Sequence, residues 1–189
     1  MHEVMPLKIG IISDTHGSLT AWQTAYNRYF SQTDLIIHCG DILYHGPRNP
    51  LPEGYQPAEL AAALNQAKQP ILFAKGNCDA EVDQLLIESP IEGPYVHCYL
   101  NGLRILAHHG HLFTMETLPH GTARHVDLVI SGHTHLPVIE RHQGLTWLNP
   151  GSPSLPKTED KQPSIAILDG RHLEIINLNT GEVIKAIDL

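Results

Sequence analysis

Five short clusters of side chains able to coordinate a cation or move a proton punctuate the sequence. They are Asp14-Thr15-His16, Gly40-Asp41, Gly76-Asn77-Cys78-Asp79, His109-Gly110-His111 and Gly132-His133-Thr134-His135. Each follows an apolar run of strand character, such as KIGII before the first and DLVIS before the last. In open α/β sheets ligands bind beyond the carboxyl ends of the strands, so clusters placed there can converge on one crevice. Their donors are oxygen and nitrogen without sulfur, a mixture that suits Mn²⁺, Fe or Zn²⁺ better than a structural thiolate site. One ion takes roughly four to six ligands. Seven such candidates, with a carboxylate able to bridge, therefore imply two divalent ions.

Taken singly, each cluster has an ordinary explanation. Asp14 and Thr15 suit a strand-to-helix cap, Gly40-Asp41 suits a turn, and Asn77 tolerates a left-handed backbone. His108 to His111 read as partly solvent-exposed polar residues. The conjunction decides the matter, because five coincidences at five strand ends are far less probable than one site.

Composition agrees with chemistry of this kind. Among 189 residues there are 14 histidines, against 12 Lys and Arg together. Imidazole is the commonest metal ligand and the usual acid–base group near neutral pH. Lys and Arg are outnumbered by 20 Asp and Glu, for a net charge of −8, which argues against a broad footprint for nucleic acid. With 42% hydrophobic and 17% charged residues the chain is not a disordered one. A length of this order favours a single domain over residues 1–189 that buries about 70% of its unfolded surface. Cys39, Cys78 and Cys98 form no CxxC pair, which excludes a zinc ribbon or disulfide scaffold. Neither a secretory leader nor an apolar run of about 20 residues is visible, so the expected location is the cytoplasm, away from membranes.

The elements that must position these clusters change character along the chain. Lys8–Ile12 reads as a buried strand, Leu19–Phe30 as a helix with Ser18 at its N-cap, and residues 34–41 as a second strand. A Pro- and Gly-rich loop precedes a helix that starts at Pro57, and PILFAK gives a third strand. Strands joined through helices call for parallel crossovers. From Tyr95 onward the pattern becomes hairpin-like, with Asn101-Gly102 as a strong turn, and an antiparallel second half is expected.

In this order, D-x-H, G-D, G-N-x-D, H-G-H and G-H-T-H, the chain resembles the calcineurin-like metallophosphoesterase superfamily, from Lys8 through the final strands. GDILYHGPRNPLPEGYQPA, GNCD and LNPGSPSLPK resemble the small bacterial phosphodiesterases of the YfcE type in particular. The resemblance implies a four-layer α/β/β/α sandwich with a dinuclear centre at its edge. It implies one ion on Asp14, His16 and His135, another on Asn77, His109 and His133, and Asp41 as bridge. Mn²⁺ is the first expectation, with Zn²⁺ or Fe as alternatives. His111 and Asp79 then lie around the ligands, orienting them or the substrate phosphate, and Arg48 and Asn49 reach the phosphate or the rest of a small phosphodiester. For Arg48 a solvated loop charge is an equally good reading.

The implied chemistry is attack of a metal-bridging hydroxide on phosphorus, with no covalent enzyme intermediate. Two divalent ions outweigh the carboxylates Asp14 and Asp41, so a phosphate is attracted locally by an acidic protein. Cys78 as nucleophile would duplicate what the metals supply. Many superfamily members carry His where this chain has Cys78, and that His is thought to protonate the leaving oxygen. Cys78 is therefore either a weak proton donor or a packing residue. A protein phosphatase is disfavoured by the short chain. The alternative from another class is a non-catalytic interaction scaffold on the same fold, as in the retromer subunit Vps29, where the ligand set is incomplete. Oligomeric state stays open, with a homo-oligomer allowed.

Overall fold

The computed structural model describes residues 6–142 and 144–189. Strands β1 (Lys8–Ile12), β2 (Leu35–His38) and β3 (Ile71–Ala74) alternate with helices α1 (Leu19–Arg28) and α2 (Pro57–Asn65). They pair in parallel, β1 with β2 and β2 with β3, as two crossover connections require. β4 (Ile91–Glu92) extends that edge. The hairpin β5 (Tyr95–Leu100) and β6 (Leu103–His108) turns at Asn101-Gly102, where both residues take positive φ, as a tight hairpin turn demands. A one-turn helix α3 (His120–Ala123), β7 (Leu128–Ile130), β8 (Pro137–His142) and β9 (Leu145–Pro150) follow. The chain closes with β10 (Ser164–Asp169), β11 (His172–Asn177) and β12 (Val183–Asp188).

Two sheets result: a 7-stranded one ordered β12-β11-β10-β1-β2-β3-β4 and a 5-stranded one ordered β5-β6-β7-β9-β8. Alternation along β1 explains how they stack. Ile9 and Ile11 face Ile105, Leu128, Ile130 and Leu148 between the sheets, while Ile12 faces Trp22, Phe30 and Leu60 beneath the helices. Outside the second sheet Leu106, Val129 and Trp147 are covered by Leu118 and Val126. The architecture is the α/β/β/α sandwich, with its outermost layer reduced to α3 and the loops around it.

Two expectations need correction. The second half is not uniformly antiparallel: β7 runs parallel to both β6 and β9. Residues 109–127 act as a crossover over the outer face of the sheet, a role that a stretch with only one helical turn does not advertise. The first helix stops at Arg28, because Tyr29 leaves helical geometry at φ −131° and Phe30 opens a 3₁₀ turn with its ring buried. Ser18 does cap α1, its Oγ accepting from the Ala21 N–H at 3.2 Å. Among the described residues no helix is long and apolar enough to cross a membrane.

Candidate metal centre

β1, β2 and β3 of one sheet and β6 and β7 of the other end on the same side of the sandwich, and the five clusters occupy the loops that follow them. Those loops are bonded to one another. Asp14 N–H donates to the Gly40 carbonyl (3.0 Å) and His16 N–H to the Asp41 carbonyl (2.9 Å). His133 N–H donates to Asp14 Oδ2 (2.9 Å), and Gly132 N–H to the His109 carbonyl (2.8 Å). Ser152 and Ser154 hydroxyls both donate to the Asp14 carbonyl, at 2.8 and 2.9 Å.

The backbone is strained where the chemistry sits. Asp14 (φ 57°), His16 (47°), Asp41 (55°), His133 (68°) and His135 (60°) all adopt left-handed conformations that non-glycine residues avoid. Each costs of order 1 kcal/mol or more and persists only where surrounding structure over-determines it. Glycines give these residues room: a Cβ on Gly76 would lie 2.2 Å from Asp41 Oδ1, and one on Gly132 would lie 1.9 Å from Ser13 Oγ.

The side chains converge in two overlapping groups. His16 and His135 Nε2 are 3.2 Å apart and lie 3.6 and 3.3 Å from Asp14 Oδ1. His109 Nε2 lies 3.3 Å from Asp41 Oδ2, 3.1 Å from Asn77 Oδ1 and 3.3 Å from His133 Nδ1. Asp41 Oδ2 is also 3.7 Å from His16 Nε2, so this one carboxylate oxygen faces both groups. One ligand atom from each of Asp14, His16 and His135 lies within 4.8 Å of the others, and the same holds for Asp14, Asp41 and His109.

Hydrogen bonding shows what these groups lack. His16 Nδ1 meets the Tyr44 carbonyl (2.8 Å), His109 Nδ1 the Cys39 carbonyl (2.8 Å) and His135 Nδ1 the Leu155 carbonyl (2.6 Å). Carbonyls only accept, so each Nδ1 carries a proton and each Nε2 faces inward, free to offer a lone pair to a cation, the arrangement of metal-binding imidazoles. Asp14 Oδ1 is buried without a hydrogen-bond partner at the middle of these acceptors. A cluster made only of acceptors requires positive charge. Burial opposes a charge on His109, yet Asp41 and Asp14 carry it up to about 9. Burial likewise opposes the Asp14 carboxylate, but His135, His16 and His109 hold its pKa well below the usual range. A divalent ion meets the same demand without protons, so the donor set fits metal.

The remaining candidates are placed around the cluster. Asp79 is buried with both oxygens engaged, Oδ2 by the N–H groups of Asp41 (2.9 Å) and Gly76 (2.6 Å), Oδ1 by that of Ile42 (2.7 Å). Burial pushes it up to about 6 against those donors, and it pins the Asp41 loop to the Asn77 loop. His111 is exposed, its ring 5.4 Å from that of His109. His108 and His109, expected to be partly exposed, are both buried, His108 between Phe113 and Trp147. Sulfur, left out of the donor set by sequence, is nearby: Cys78 Sγ lies within 4.8 Å of ligand atoms of His16 and Asp41. Burial first, then Asp41, pushes the Cys78 thiol up to about 12, so it is protonated beside this cluster.

Arg48 and Asn49 line a cleft of about 800 Å³ over the cluster, together with Asn77, Cys78, His133 and His135. Asn49 is fixed there, donating to the His45 carbonyl at 2.8 Å. Three lining residues escaped the sequence reading, Tyr44, Ala80 and Lys157. Lys157 belongs to the LNPGSPSLPK stretch, which marks the subfamily but gives no hint that it wraps the cleft; its backbone N–H reaches the His135 carbonyl at 3.3 Å.

Comparison with known proteins agrees with this geometry. Residues 7–172 match the calcineurin-like phosphoesterase superfamily domain. The chain is 40% identical to phosphodiesterase YfcE of Escherichia coli (strain K12) over 182 residues, 96% of this chain and 97% of that one. The solved structure of that phosphoesterase superposes with a TM-score of 0.89, covering 96% of this chain and 99% of the other. Vacuolar protein sorting 29 from Cryptosporidium parvum shares the fold at a TM-score of 0.70 and 19% identity, covering 98% and 100% of the two chains.

Proposed function

The chain belongs to the calcineurin-like phosphoesterase superfamily, and from that premise we propose that it hydrolyses small phosphodiesters at a centre of two divalent ions, Mn²⁺ foremost. The observation that carries this reading is Asp14 Oδ1, buried and unpartnered among inward-facing imidazole nitrogens. Asp14, His16 and His135 would hold one ion and Asn77, His109 and His133 the other, with the Asp41 carboxylate, which faces both groups, shared between them. When bound, the ions supply a water acidified towards neutral pH and positive charge for the phosphoryl oxygens.

The chain's own residues do the rest. The carbonyls of Tyr44, Cys39 and Leu155 fix three imidazole rings, so coordination through them costs little freedom. Asp79 fixes the relative position of the Asp41 and Asn77 loops. Asn49 and Arg48 hold the substrate from the cleft wall, and exposed His111, its ring 5.4 Å from that of His109 and 6.3 Å from that of His133, orients these ligands or the phosphate. Cys78, protonated but a weak donor, gives the departing oxygen little help, so rates depend steeply on leaving-group acidity.

The same reading makes this one domain, cytoplasmic, with no stable hold on nucleic acid at a net charge of −8. An interaction scaffold needs no such acceptor cluster and no strained loops to build it, which favours catalysis. Turnover of bis(p-nitrophenyl) phosphate with and without Mn²⁺ tests it. Metal-dependent hydrolysis is expected; inactivity with every divalent ion would favour the scaffold.

A further inference from the structure

We infer that the cleft above the metal centre receives a diester carrying a second phosphoryl group, bound by the Arg48 and Lys157 head groups. This rests on the diesterase reading above and names the substrate class for that site. A phosphodiester is a monoanion, and two divalent ions already exceed what its single charge requires. Yet Arg48 and Lys157 also line the cleft, on a chain whose net charge is −8.

These two cations differ from the engaged basic residues of the molecule. Lys8, Lys75 and Arg104 sit in ion pairs with Asp169, Glu81 and Asp127. Arg28, Arg141 and Arg171 donate to backbone carbonyls. Among the described residues the exposed head groups of Arg48 and Lys157 have neither kind of partner, which is equally true of Lys68, Arg124, Lys161 and Lys185; what sets Arg48 and Lys157 apart is that they line this cleft. No acidic side chain on the cleft wall is available to them: Asp41 faces His16 and His109, and both oxygens of Asp79 are engaged by backbone N–H groups.

Their loops are also built to hold them. Asn49 ties the Arg48 loop back on itself through the His45 carbonyl, and Gly46 packs so close to Cys78 that a Cβ there would lie 3.0 Å from its Sγ. Lys157 is attached by its backbone to His135, one of the buried candidate ligands. Both cations thus flank the reacting position on anchored loops, with like charge and no internal counter-ion. The group that completes them is a second anion on the substrate, and the chemistry of guanidinium and ammonium together suits phosphoryl oxygens.

Two probes with the same diester and the same leaving group isolate this term: thymidine 5′-(p-nitrophenyl phosphate), and that compound phosphorylated at its 3′-hydroxyl. With the Mn²⁺-loaded protein we expect the 3′-phosphorylated probe to show a KM roughly tenfold lower at similar kcat. The preference should shrink as salt rises, because exposed charges are screened over about a Debye length. Lys157→Gln should cut the ratio of kcat/KM between the probes, Arg48→Gln with Lys157→Gln should abolish it, and Lys157→Arg should keep it. The ratio is taken within each protein, so any general loss of activity cancels. Equal KM values in the wild type, or a ratio that the double variant leaves intact, would overturn the inference while the diesterase reading stands. Turnover of neither probe would overturn both.

Discussion

The two halves of the proposed metal centre are enclosed to different degrees. Asp14, His16 and His135 are all buried, and both imidazoles are held through Nδ1 by carbonyls at 2.8 and 2.6 Å. In the other half only His109 is held in that way; Asn77 is exposed and His133 half-buried, with Nδ1 turned towards the cluster. A ligand whose ring is already fixed loses little freedom when it coordinates. The buried half should therefore hold its ion more tightly, and the open half should keep a face for substrate, as catalytic sites do. On the proposed assignment, enclosure and reactivity are divided between two positions that share Asp41.

The largest expected effect tests the sharing. Asp41→Asn removes the charge that faces both halves, and metal content and activity should fall together, turnover by more than roughly 10³-fold, since several kcal/mol of charge stabilisation are lost with the ions. The fold should survive, because the amide oxygen can still accept from the Cys78 N–H that now meets Asp41 Oδ1 at 2.8 Å. Near-normal metal content by elemental analysis would break the idea of a shared bridge.

The halves can then be separated. Calorimetric titration of His135→Ala should show the tighter step weakened about 10²-fold, whereas Asn77→Ala should retain one ion at wild-type affinity and weaken only the other. Equal losses from both variants would mean that enclosure does not rank the two positions.

Cys78 sharpens the open side. Cys78→Ser should keep activity within about threefold, and p-nitrophenyl diesters should turn over far faster than alkyl diesters. A general acid is worth roughly 10²–10⁴-fold, so a hundredfold loss at unchanged metal content would make the thiol catalytic. The smallest effect concerns strain. His133→Gly relieves a left-handed φ of 68° on a half-buried residue. In metal-free protein its stability should be unchanged or higher by up to about 1 kcal/mol, measured by urea unfolding, although activity is lost. A clear loss of stability would show that the strain argument misjudges this loop.

What the sequence made legible is what side-chain identity carries. The clusters stand out because Asp and His pairs at strand ends are conspicuous, and the parallel start is written in its strand–helix alternation. Backbone partners are invisible by nature: nothing in the letters Tyr44, Cys39 or Leu155 says that their carbonyls orient imidazoles. Left-handed Asp14 and His16 were equally hidden, since propensity assigns such φ values to glycine. The antiparallel pairing of β1 with β10 is a contact between chain ends that local pattern cannot specify. Nothing in the letters LNPGSPSLPK says that Lys157 lines the cleft.

The central claim, a phosphodiesterase with two unequal metal positions, is tested most directly by titrating metal-stripped protein with Mn²⁺ while recording bound ion and bis(p-nitrophenyl) phosphate turnover together. The account requires two ions per chain, the first bound tightly with little turnover and activity rising as the second position fills. Full activity at one ion per chain, or no turnover at any occupancy, would contradict it.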